Sequence, residues 1–84
     1  MKFETLFLYI QQQKFNTWLE VLVGKKRIDE LKLKYKDKNI KSLNSVMSLL
    51  DKHFKNVHFY NNYRKVIRKK LKSILKELNS KNKH

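Results

Sequence analysis

Apolar residues recur at helical spacing along most of this chain, and segments can be separated where that spacing starts, stops or changes phase. Phe3, Leu6, Phe7 and Ile10 share one face at about 100° per residue and predict a short helix from Lys2 to Gln13. Leu8 and Tyr9 fall off that face, which predicts a helix buried on two sides, although FETLFLYI also fits a strand. Thr17 followed by Glu20 has capping-box spacing, so a second helix is expected to begin near Trp18 and to bury Phe15, Trp18, Leu19 and Leu22. Beyond Gly24 the stripe jumps nearly to the opposite side, at Ile28, Leu31 and Tyr35. A straight helix cannot bury both stripes against one core, so a break at Gly24 is expected. Residues 28–36 carry two readings, because LKLKYK alternates apolar residues with lysine as an edge strand does; helix is favoured.

Lys36 to Lys41 reads as a polar turn, with Ser42 as the N-cap of a helix that buries Leu43, Val46, Met47, Leu50 and Phe54. Its outer face carries Asn44, Ser45, Ser48, Asp51, Lys52 and Lys55, and Asn56 is the expected C-cap before a link through Val57 and His58. The last helix, Tyr60 to Asn79, places Tyr60, Tyr63, Ile67, Leu71, Ile74 and Leu78 on one stripe. Ser80 to His84 reads as a polar, frayed tail. The expected fold is all-α: one domain over residues 1–79, a small compact bundle of four to five short helices. Its core would be Leu6, Ile10, Trp18, Leu22, Leu31, Leu43, Met47, Leu50, Phe54, Tyr63, Ile67, Leu71 and Ile74. The absence of proline and the single glycine disfavour a turn-rich β design.

Charge changes the picture from fold to function. The chain carries 21 Lys and Arg against 7 Asp and Glu in 84 residues, a formal charge of +14. Lys2 and Lys14 cancel Glu4 and Glu20, so the whole excess lies beyond Gly24. Such a charge points to an anionic partner: nucleic acid, anionic lipid or an acidic protein surface. On the last helix Lys65, Arg68, Lys69, Lys72 and Lys76 gather opposite the apolar stripe, with Asn61 among them and no acid in that arc. A row of this kind contacts successive phosphates without reading sequence. With Lys52, Lys55 and Arg64 it forms the expected nucleic-acid-binding set, DNA ahead of RNA, in a non-enzymatic regulatory or accessory protein that would suit a mobile element.

Two elements could add base reading. The segments IDELKLKY, KDKN and SLNSVMSLLDKHF have the outline of a helix-turn-helix-like pair, which would bring Lys41, Ser42, Asn44, Ser45 and Ser48 near base edges. An ordinary helical hairpin has the same outline and is favoured. The stretch FYNNYR, Phe59 to Arg64, resembles the third helix of homeodomains, where two aromatics precede an Asn and an Arg. The resemblance implies Asn62 as base reader and Arg64 as phosphate contact; it covers a short piece of the chain, the upstream apolar spacing departs from the family, and it is set down to chance.

Chemistry beyond binding has little to build on. His53 and His58 do not share a helical face, there is no cysteine, and no carboxylate cluster completes a metal site, so neither a metal nor another cofactor is expected. Asp29, Glu30 and Lys32 include the Glu-x-Lys spacing of a class of metal-dependent nucleases, but without a strand or a second separated carboxylate. The lack of cysteine fits a reducing compartment, and the start has neither a secretory leader pattern nor a span-length apolar run, so a cytoplasmic protein is expected. Two other partners suit the charge. One is an acidic or nucleic-acid-binding surface on a protein, bound as an inhibitor or immunity-type protein binds. The other is an anionic membrane, disfavoured because the stripe from Tyr60 to Leu78 would have to be exposed. Leu8, Tyr9 and Val23 leave room for a homodimer.

Overall fold

Five helices take up the periodicity in the computed structural model, which describes residues 1–81: α1 (Phe3–Gln12), α2 (Phe15–Val23), α3 (Lys25–Tyr35), α4 (Leu43–His53) and α5 (His58–Lys81). The domain is all-α, and residues 28–35 are helical. An isolated bridge between Lys2 and Asn39 is the extent of β pairing among the described residues. None of the described helices is long and apolar enough to cross a membrane.

The breaks between helices have local causes. Lys14 adopts a left-handed conformation, φ 59°, which reverses the chain between α1 and α2. This turn starts α2 at Phe15, earlier than the Thr17 capping box predicts, and leaves Thr17 inside the helix. Gly24, at φ 93° and ψ 143°, separates α2 from α3 as the phase change requires, in a region open almost solely to glycine.

Segment 36–40 is more than a polar turn. It lies against the start of α1, where Lys2 supplies no side-chain cap. The Phe3 N–H donates to the Lys38 carbonyl (2.8 Å) and the Glu4 N–H to the Lys36 carbonyl (3.0 Å), satisfying donors that a helix start leaves without intrahelical partners. The Ile40 N–H donates to the Met1 carbonyl, and the Ile40 side chain enters the core. Through these bonds the loop holds Lys41 and Ser42 in place ahead of α4.

The helices α4 and α5 form an antiparallel hairpin. Leu43 at the start of α4 lies by Leu75 and Asn79, whereas Asp51 near its end meets Tyr60 and Arg64. The connection between α3 and α4 spans residues 36–42 and α4 packs chiefly on α5, so α3 and α4 are not the tightly turned pair of a helix-turn-helix. Ser42 occupies the N-cap position, yet its hydroxyl makes no capping bond. The helix ends at His53 with Phe54 as C-cap, ahead of Asn56, because the Phe54 N–H still reaches the Leu50 carbonyl.

The core is apolar throughout and gathers side chains from all five helices, among them Phe3, Leu6, Phe7, Ile10, Leu31, Met47, Leu50, Phe54, Ile67, Leu71 and Ile74. Tyr9 and Val23 are buried, whereas Leu8 is 51 % exposed. Four expected core residues sit further out. Trp18, Leu22 and Leu43 are half-buried at its edge, and Tyr63 is 43 % exposed. The α5 stripe is otherwise buried at Tyr60, Ile67, Leu71, Ile74 and Leu78, with Leu75 added. Helix α5 continues through Ser80 and Lys81, beyond the expected end of the domain; the rest of the expected tail lies outside the described residues.

Candidate nucleic-acid interface

Helix α5 is 24 residues long and spans about 36 Å at 1.5 Å per residue. Its buried stripe sets what the remaining faces can do. On the flank toward α4 lie Asn61, Lys65, Arg68, Lys72 and Lys76; Lys69 follows at the centre of the open face, and all six are exposed. The ion pairs found among the described residues are Lys2 with Asp37 and Arg64 with Asp51, so the row from Lys65 to Lys76 has no acid neutralising it.

Both acids of the C-terminal half are committed elsewhere. The Tyr9 hydroxyl donates to Glu77 Oε2 at 2.8 Å, which ties α1 to α5 and leaves Glu77 on the side of α5 away from α4. Asp51 accepts from the Tyr60 hydroxyl at 2.5 Å and from Arg64 Nε and Nη2 at 2.8 and 2.7 Å. The hydrogen bond from Arg64 holds the Asp51 carboxyl below its usual range; the Tyr60 hydroxyl and the Arg64 charge act the same way, against the opposing effect of burial. Burial pushes the Tyr60 phenol up, and its bond to Asp51 adds to the effect. Arg64 is thus half-buried and bound within the protein, apart from the exposed cations with which it was expected to bind nucleic acid.

The structure brings the two halves of the expected site together at Lys41. A cleft between segment 39–43 and the C-terminal half of α5 is lined by Lys41, Ser42, Lys72 and Lys76. A second cleft, on the other side of the same segment, is lined by Lys38, Lys41, Ser45, Ser48 and Lys52. Lys41 borders both, so the C-terminal end of the α5 row, at Lys72 and Lys76, adjoins the outer face of α4 through this one residue, whereas Lys65, Arg68 and Lys69 line neither cleft. Asn44 is exposed on α4 outside these clefts. Lys55 lies in the turn before α5, where its carbonyl accepts from Asn61 Nδ2 at 3.2 Å; Asn61 therefore ties down that turn. Asn62 faces His58 at 3.2 Å, one helical turn away.

Lys38 joins the surface without having been singled out by spacing, since only the folding of segment 36–40 onto α1 puts it there. Phe59 and Val66 were also missed. They stand with Tyr63 and Lys70 on a second stripe of α5, legible as the i, i+4, i+7, i+11 series once α5 is started at His58. His53 is half-buried, edge-on to Tyr35 and Phe54. Asp29, Glu30 and Lys32 lie on helix α3. Among the described residues no group of three His, Cys, Asp or Glu side chains comes together as a metal site would need. No family model, curated protein or solved structure matches the chain.

Proposed function

We propose that this chain is a small non-enzymatic nucleic-acid-binding protein of the cytoplasm, DNA ahead of RNA, with a regulatory or accessory role. One observation carries the reading: Lys41 borders two adjoining clefts that link Lys72 and Lys76 of α5 to Ser45, Ser48 and Lys52 of α4. A solubilising face needs no such continuity, whereas a phosphate backbone crossing from one helix to the other does. The contacts are mainly to phosphates, so affinity falls steeply with salt and depends weakly on sequence. Ser42, Ser45 and Ser48 are the groups that can add hydrogen bonds to base edges. Burial of Tyr60, Ile67, Leu71, Ile74 and Leu78 takes the main apolar stripe of α5 away from lipid and leaves it three exposed apolar residues, Phe59, Tyr63 and Val66, which supports a nucleic acid over an anionic membrane.

Gel shifts with duplex DNA and RNA over a series of salt concentrations test the reading. The wild-type protein should bind at low salt, and replacing Lys65, Arg68, Lys69 and Lys72 with Gln should abolish the shift. Absence of binding at low salt, or binding unaffected by those replacements, would show the reading to be wrong.

A further inference from the structure

The open side of α5 carries a second row that phosphate binding does not use. Phe59, Tyr63 and Val66 are 58, 43 and 53 % exposed on the flank away from α4, and Lys70 extends the same stripe. Tyr63 packs T-shaped with Trp18 of α2, ring centroids 5.9 Å apart, and Trp18 in turn stacks on Phe15. Between this stripe and the cationic row, which Lys69 closes at the centre of the open face, runs a polar strip of Asn62 and Ser73. The open face of α5 thus presents cations, small polar groups and rings in parallel along the helix axis. Leu8, Val21 and Leu33 are exposed singly on α1, α2 and α3, whereas Phe59, Tyr63 and Val66 follow one another along one stripe of a single helix, and a contiguous exposed apolar stripe calls for an occupant.

Charge decides which one. A second copy docked on this stripe would set two chains of +14 against each other, and like charges oppose that. The occupant has to be anionic and to offer flat apolar faces. Single-stranded nucleic acid does both: unpaired bases stack on aromatic side chains while the backbone follows a basic groove. A duplex keeps its base faces stacked inside and cannot use Phe59 or Tyr63 in this way.

Resting on the proposed phosphate contacts, we propose that α5 favours unpaired nucleic acid, with phosphates along Lys65, Lys69, Lys72 and Lys76 and bases against Phe59, Tyr63 and Val66. A strand lying along the helix meets all three rows at the same helical repeat. Binding at the stripe changes the surroundings of Trp18, the sole tryptophan, through Tyr63.

The test compares a labelled oligothymidine strand, a duplex with the same number of phosphates, and polyglutamate. It uses the wild-type chain, a Phe59→Ser/Val66→Ser variant and a Lys65→Gln/Lys69→Gln/Lys72→Gln variant, with circular dichroism checking that each is folded. Wild type should bind the strand more tightly than the duplex, with a change in Trp18 emission for the strand alone. The Phe59→Ser/Val66→Ser variant should lose about tenfold on the strand and nothing on the duplex, and the lysine variant should lose affinity for both. Duplex binding as tight as strand binding, or strand binding indifferent to Phe59 and Val66, overturns the preference for unpaired bases and leaves the phosphate reading standing. Failure of both nucleic acids to bind overturns both. Polyglutamate binding that depends on Phe59 and Val66 and exceeds strand binding assigns the stripe to an acidic polypeptide and overturns the proposal.

Discussion

Arg64 and Asp51 are joined by two hydrogen bonds, Nε to Oδ1 at 2.8 Å and Nη2 to Oδ2 at 2.7 Å, closing the hairpin of α4 and α5 near its turn. The forked guanidinium matches both carboxylate oxygens, which a lysine ammonium cannot do. Tyr60 donates to Oδ1 of the same carboxylate, so three side chains from two helices share one site.

This cluster makes stability depend on pH at both ends of the scale. Asp51 is held below the ordinary carboxylate value of 3.8, so its contribution is present above that value and is lost as pH falls through the lower folded value. Tyr60 is held above the ordinary phenol value of 10.0, so its contribution is present below that value and is lost as pH rises beyond it. Urea midpoints measured across the acid and alkaline ranges should show both declines. Asp51→Asn should remove the acid one and Tyr60→Phe the alkaline one.

Arg64 and the cations of the adjacent row should separate by what their loss affects. Arg64→Gln is expected to lower the urea midpoint and leave the salt dependence of nucleic-acid binding unchanged. Lys69→Gln with Lys72→Gln should leave the midpoint alone and reduce the slope of log K against log salt by about 0.7 to 0.9 for each phosphate no longer neutralised. Equal effects of the two variants on the slope would place Arg64 on the phosphate surface after all.

Gly24→Ala should destabilise the fold by about 1–3 kcal/mol. A Cβ at this position meets nothing within 4 Å, so the loss comes entirely from the backbone at φ 93°, not from a clash. Thermal unfolding of the variant measures it, and an unchanged Tm would mean that the break between α2 and α3 does not need this conformation.

Tyr9→Phe removes the hydroxyl that donates to Glu77 and keeps the buried ring. The expected loss is about 1 kcal/mol, or a fall in Tm of about 4–8 °C for a domain of this size. Hydrogen exchange in the last turns of α5 should quicken at the same time, because this bond ties them to α1.

Adjacent residues on α5 test its rotation about its own axis. Ile67 is fully buried and Val66 is largely exposed, so Ile67→Ala should cost about 2–5 kcal/mol and Val66→Ala no more than about 0.5 kcal/mol. Similar losses at both positions would mean that the helix presents a different face to the core.

The helices and the break at Gly24 are legible in the chain without its fold, because spacing at i, i+3 and i+4 and the conformational demands of glycine are local properties. Equally legible is that the row from Lys65 to Lys76 is cationic and opposite the buried stripe. Local signals failed at the helix starts: Thr17 with Glu20 had the right spacing for a cap, but the left-handed turn at Lys14 had already begun α2.

Which members of each set are free depended on packing. Tyr60 and Tyr63 belong to one stripe by spacing, yet Tyr60 is buried against Phe54 while Tyr63 packs T-shaped with Trp18 in the open. Arg64 and Lys65 are consecutive cations, yet Asp51 takes the first and leaves the second exposed. Lys41 and Lys76 come together because segment 36–40 folds onto the start of α1. Periodicity follows from the helix alone, whereas burial and pairing depend on side chains that packing brings from elsewhere in the chain, and no local pattern records those partners.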